Sequence, residues 1–127
     1  MIDHISIAVR DLDRAARFYQ VVLGAIGYEK LVVGPRTVGF GKGYPEFWLN
    51  LRATMASIET DSGAHAALRV RTIDLVDAFH AAALAAGGTS DGALGLRPQH
   101  GEGYYAAFIR DPDGNRIEAV TFLKPQG

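Results

Sequence analysis

Near the amino terminus apolar residues alternate with polar or small ones. Ile5, Ile7 and Val9 share one parity and His4, Ser6 and Ala8 the other, a period of two that predicts a strand with one face covered. The spacing then widens to three and four. Ala15, Phe18, Tyr19, Val22, Leu23 and Ile26 form one stripe of a helix, a face that needs a sheet to cover it. The same order returns later in the chain. Ala66, Leu68 and Val70 alternate with His65, Ala67 and Arg69, and Leu75, Val76, Phe79, Ala83 and Ala86 follow at helical spacing. Asp11 or Asp13 and Thr72 or Asp74 are suited to cap the two helices, and Gly24 or Gly27 and the pair Gly87-Gly88 to stop them.

The recurrence is an internal repeat. At an offset of 61, the stretch from His4 to Gly27 overlays His65 to Gly88 with eight identities in 24 positions, His4/His65, Phe18/Phe79 and Gly27/Gly88 among them. Ordinary composition gives on the order of one or two such identities by chance. After each helix there is room for three short strands. They are expected near Glu29 to Val33, Thr37 to Gly41 and Glu46 to Ala53, then near Thr89 to Leu96, Tyr104 to Arg110 and Asn115 to Phe122. Asp111-Pro112-Asp113-Gly114 reads as a tight turn. The expectation is an α+β domain of two βαβββ modules: module one over 1–54, a linker over 55–63 that lacks periodicity, and module two over 64–123.

Composition narrows the chemistry. The 127 residues carry 13 Lys and Arg against 14 Asp and Glu, and no Cys. Without a basic patch or a long apolar run, neither nucleic acid nor membrane is an expected partner, and the chain reads as cytoplasmic. Without Cys, a metal can be held only by His, Asp or Glu. His4 and His65 are related by the repeat. Glu118 is a carboxylate inside an otherwise apolar strand, where a buried charge needs a partner. If the modules fold alike, two imidazoles and a carboxylate meet on one face, a set that suits a divalent first-row metal with open positions. Aligning Leu49 with Ile117 sets Asn50 opposite Glu118. The Gly-flanked loop from Arg97 to Tyr105 supplies candidates for proton transfer, His100, Glu102, Tyr104 and Tyr105, with one of the two tyrosines facing the cavity. Trp48, Asn50, Ser6 and Arg69 share parity with these groups and are the candidate substrate contacts.

The opening DHISIAVRDLDRAARFY, the HAALRV of the second half and the closing DPDGNRIEAV resemble the vicinal oxygen chelate superfamily of glyoxalases, bleomycin-resistance proteins and extradiol dioxygenases. The resemblance implies a cupped eight-stranded sheet, usually completed in a homodimer, in which a Mn, Fe, Zn, Ni or Co ion chelates two adjacent oxygens of a small substrate. His4, His65 and Glu118 fall on the ligand positions. Asn50 falls where glyoxalase I enzymes keep a Glu that is both ligand and base, a role an amide does not fill. The fosfomycin-resistance thiol transferases share the length and three ligands, and Glu102 aligns with a Glu of their potassium loop, while the tail AVTFLKPQG lacks their phosphonate-gripping Arg. The resemblance thus implies a small metal-dependent lyase, isomerase or dioxygenase. A metal-free bleomycin-resistance-like binding protein and a fosfomycin-resistance-like thiol transferase are the alternatives.

Overall fold

In a computed structural model that describes residues 1–123, the repeat is visible as two strand-helix units of equal length. The last four residues of the tail, 124–127, lie outside the described part. Strand β1 (Ile5–Val9) leads into helix α1 (Leu12–Gly24), and strand β5 (His65–Arg69) into helix α2 (Ile73–Ala85). Of the alternative caps, Asp11 accepts from the Arg14 N–H at 3.1 Å and Thr72 from the Leu75 N–H at 3.2 Å, each satisfying one of the amides that a helix start leaves unpaired. At the other end the amides of Tyr28 and Gly88 reach back to Leu23 and Ala83. The residues between adopt positive φ at Gly27 and Gly87, where a Cβ would be strained. The Gly27/Gly88 match in sequence is therefore one residue out of step, because the hydrogen bond that closes α2 falls one position earlier.

After α1 come β2 (Glu29–Val33), β3 (Thr37–Gly41) and β4 (Pro45–Leu51), and the first sheet has the order β1-β4-β3-β2. After α2 the chain forms β6 (Thr89–Ser90), β7 (Gly95–Leu96), β8 (Tyr104–Arg110) and β9 (Arg116–Phe122). The second sheet has the order β5-β9-β8-β6, with β7 also on β8. In both, the module's first strand pairs in parallel with its last. The single strand expected over Thr89 to Leu96 is broken into β6 and β7. Ser90 Oγ donates to the Gly92 carbonyl, and Asp91 turns its carboxylate to Arg110 at 3.0 Å and Arg116 at 3.6 Å. This local polar demand interrupts the ladder, so the described residues hold nine strands where eight were expected.

Each sheet lays one face on the helices. Phe40, Phe47 and Leu49 of the first and Ala107, Ile109, Ile117 and Ala119 of the second are buried with Phe18, Tyr19 and Phe79. The opposite faces carry Ser6 and Trp48 on the first sheet and His65 and Glu118 on the second. Backbone contact is closest at Gly41, where an added Cβ would stand 1.7 Å from the Tyr44 carbonyl oxygen. Gly41→Ala is expected to cost on the order of 2–3 kcal/mol in urea unfolding, since main chain must move to admit it.

The turn at Asp111 to Gly114 does more than reverse the chain. Asp111 accepts from the amides of Asp113 and Asn115 and from the Tyr19 hydroxyl at 2.7 Å, and Asn115 Nδ2 donates to the Ala8 carbonyl at 2.8 Å. Asp113, 1% exposed in its side chain, accepts from Arg10 through both its amide and Nε, at 3.1 and 2.8 Å, and pairs with Arg14 at 3.5 Å. Module two is thus clasped to β1 and α1 by buried, hydrogen-bonded carboxylates.

Candidate metal and substrate site

The parallel pairing of β5 with β9 sets Ala67 opposite Glu118, so His65, two residues earlier, lies diagonal to Glu118 on the same face. His65 Nε2 stands 3.2 Å from Glu118 Oε1. The histidine is half exposed while the carboxylate is 2% exposed. Phe108 of β8 faces Glu118 across the ladder, and Tyr104, two pleat repeats further along that face, donates its hydroxyl to Glu118 Oε2. The Tyr104 ring is itself wedged, edge-on to Phe122 at 5.2 Å and beside His100 at 5.3 Å. Burial, and then the hydrogen bond and charge of Glu118, push the Tyr104 hydroxyl up to about 12. A phenol with a raised value stays protonated as the pH climbs from 10, and its stabilising bond is lost only as the pH passes that value. Alkaline absorbance titration of Tyr104→Phe should lack the tyrosine that ionises near pH 12.

His4 takes a different setting. It precedes β1, is half exposed, and holds its Nδ1 2.6 Å from Asp3 Oδ2, which also accepts from Tyr44. These bonds, that to His4 first, hold the Asp3 carboxyl below its usual range. The pairing leaves Nε2 as the free nitrogen and orients the ring, as carboxylates do behind metal-ligating histidines. His4, His65 and Arg69 line one cleft of about 490 Å³, with Tyr28 and Glu46 on the same wall. Among the described residues, however, no group of three His, Asp or Glu side chains lies close enough to hold an ion. The chain brings His65 and Glu118 together and leaves His4 apart.

The remaining candidates divide by face. Arg69 shares the His65 face but does not pair with Glu118, its guanidinium lying 4.6 Å from the centre of the Phe122 ring. Ser6, Trp48 and Asn50 sit on the free face of the first sheet, Ser6 opposite Trp48 and Ala8 opposite Asn50. This register corrects the alignment of Asn50 with Glu118. Ser6 is the repeat partner of Ala67, and Ala67 faces Glu118, so the counterpart of Glu118 in module one is Trp48. The sequence comparison slipped by two residues because both last strands alternate with the same parity. Trp48 lies against Gly39, where an added Cβ would be 3.0 Å from the indole.

Tyr105 is also corrected. Its hydroxyl donates to Asp77 of α2 at 2.7 Å, so it packs on the helix side and only Tyr104 faces the candidate site. His100 ends a short 3₁₀ turn (Pro98–His100) against Tyr104, and Glu102 is exposed beyond it. Sequence reasoning missed Asp3 and Tyr44. The dipeptide Asp3-His4 was the one available sign, since Tyr44 arrives from a distant hairpin.

A family model of the glyoxalase/bleomycin resistance protein/dioxygenase superfamily matches residues 1–119. No curated protein matches the sequence. Among solved structures, a glyoxalase/bleomycin resistance protein from Albidiferax ferrireducens T118 is 28% identical, with TM-score 0.81, over 97% of this chain and 98% of that one. A glyoxalase/bleomycin resistance protein/dioxygenase family enzyme from Burkholderia phytofirmans PsJN is 22% identical with TM-score 0.73, over 96% and 98%. The fosfomycin resistance protein FosX from Listeria monocytogenes shares the fold at 16% identity and TM-score 0.71, over 97% and 93%. With the repeated βαβββ unit, the matched span and these superpositions in agreement, the chain belongs to the glyoxalase/bleomycin resistance protein/dioxygenase superfamily.

Proposed function

We propose that this protein is a small metal-dependent enzyme of the glyoxalase and dioxygenase type, acting on a small substrate that presents two neighbouring oxygens. The observation that carries this reading is the pairing of a 2% exposed carboxylate, Glu118, with the open ring of His65 at 3.2 Å beside a cleft of about 490 Å³. A carboxylate so buried is costly unless partnered, and an imidazole that reaches both it and solvent can share a cation with it. The donor set fits a Mn, Fe, Zn, Ni or Co ion: His65 and Glu118 would hold it from one chain, and His4, oriented by Asp3, is the third ligand. When bound, such an ion supplies Lewis-acid polarisation of a substrate oxygen.

The rest is the work of this chain's own residues. Tyr104 orients Glu118 through its hydroxyl and, being protonated at neutral pH, serves as hydrogen-bond donor. Arg69 offers a cation to an acidic substrate, and Trp48, Ser6 and Asn50 form the facing wall. His100 and Glu102 are the groups placed to relay a proton at the rim. Tyr104→Phe is expected to weaken metal affinity about 10-fold, as loss of an outer partner typically does.

The gap between His4 and the other pair is closed, in this reading, in a homodimer, with His4 of the partner subunit completing the set. Support comes from the Trp48 face of the first sheet, where Ser6 is exposed and Trp48 and Asn50 are only partly buried within one chain. Co-expression of His4→Ala with Glu118→Ala tests it. Shared sites predict about one quarter of the wild-type metal content, from the half of dimers that are mixed and carry one intact site. Sites within one chain predict none. A metal-free binding role for the same cleft is favoured by one observation, that the described residues of a single chain gather no group of three ligands. Saturable metal binding by the purified protein would exclude it.

A further inference from the structure

On the helix side of the sheets, away from the His65 cleft, α1 and the end of α2 enclose a second cleft of about 440 Å³ lined by Arg14, Arg17, Phe18, Val21, Ala86 and Pro112. Its lining carries two guanidiniums and no carboxylate. Asp113, the one buried carboxylate that reaches this wall, is shared by Arg10 and Arg14. Arg17 adds a third guanidinium that has no acceptor among the described residues, and the Arg14 Nε is buried with no partner there either. A buried guanidinium N–H without an acceptor is a cost that native structures rarely carry, and the rest of the Arg14 side chain, 43% exposed, opens onto the cleft it lines. The carboxyl end of α2 contributes about half a negative charge at most, less than the two cations of the lining. Between the arginines the floor is apolar. Phe18 and Val21 present their side chains, Val21 being 51% exposed, and Ala86 and Pro112 close the sides.

We propose that this inter-helix cleft is a binding site for a small organic anion, a carboxylate or phosphate ester with an apolar body of about one ring, gripped by Arg14 and Arg17 and seated on Phe18. Arginine is suited to the head group because its fork meets such oxygens two at a time. A volume of this size is in the range of small-molecule sites, and the apolar floor selects against bare inorganic ions. Because Asp113 holds Arg14 while clasping the modules, an occupant would also sit directly on the inter-module joint.

The test is a ¹H–¹⁵N titration that follows the Arg14 Nε–Hε and Gly87 amide signals, with phenyl phosphate and benzoate as probes and benzyl alcohol as the uncharged control. At least one acid is expected to shift both signals saturably, and benzyl alcohol to bind at least about 10-fold more weakly, the loss of a charge-assisted pair. Arg17→Gln, an exposed position that the clasp does not use, should weaken binding by a similar factor, as should Arg14→Gln where it folds. His65→Ala should leave the shifts unchanged. No saturable shift with either acid, undiminished binding in Arg17→Gln, or loss of the shifts in His65→Ala would overturn the proposal.

Discussion

Asp113→Ala is expected to lower the unfolding free energy by about 3–5 kcal/mol, the range for removing one partner of a buried ion pair, and the melting temperature by on the order of 10 °C. The size follows from what the side chain holds. Three donors from Arg10 and Arg14 converge on a carboxylate that is 1% exposed, and without it two guanidiniums and an amide face one another in a joint between modules. The Arg14 side of the loss is discounted, because that side chain is 43% exposed and its contact is 3.5 Å long. Asp113→Asn should recover part of the loss, as an amide still accepts from Arg10. Beside it, burial holds the Tyr19 hydroxyl well above 10 and raises the Asp111 carboxyl. Groups raised in the folded state favour it while protonated. The Tyr19 contribution is therefore present below pH 10 and disappears as the pH rises through its folded value, and Tyr19→Phe should flatten the alkaline limb of the stability profile in chemical unfolding.

The second large effect concerns Glu118. Glu118→Gln is expected to reduce divalent metal affinity by on the order of 100-fold or more, above the range for outer partners, because the amide keeps the shape but loses the charge. Its apoprotein should be no less stable than wild type by more than about 1 kcal/mol, since a buried carboxylate is a weak source of stability. The two readouts together separate a ligand from a structural ion pair. If His65 and Glu118 served the fold alone, stability would fall and metal uptake would not change. Isothermal titration with Mn²⁺ and Zn²⁺, beside urea unfolding of the same preparations, reads both.

Much of this architecture could be read from local pattern. Period two at His4 to Val9 and His65 to Val70, with helical spacing behind each, specified the repeated unit, because burial of one face dictates both periods. Where two local solutions were equal, pattern could not choose. Asn50 and Trp48 share a parity, so only the β1-β4 register showed which is the counterpart of Glu118. Tyr104 and Tyr105 alternate, and only packing against Asp77 and Glu118 assigned their faces. Asp91 broke a strand through partners 19 and 25 residues away, Arg110 and Arg116. The Asp111 to Asn115 segment was legible as a turn but not as a clasp, since its partners Ala8, Arg10 and Tyr19 lie about a hundred residues earlier. His65 and Glu118 were anticipated from parity and charge within an apolar strand. His4 matched by repeat, yet its distance from the pair depends on how modules assemble, which no local signal encodes.

The central claim is that His65 and Glu118 are metal ligands. Elemental analysis of purified wild type, His65→Ala and Glu118→Gln after reconstitution with a divalent ion and removal of the excess tests it most directly. The claim predicts about one ion per wild-type chain, as expected for a single His-carboxylate site, and almost none in either variant. Equal metal in all three proteins, or none in the reconstituted wild type, would contradict it.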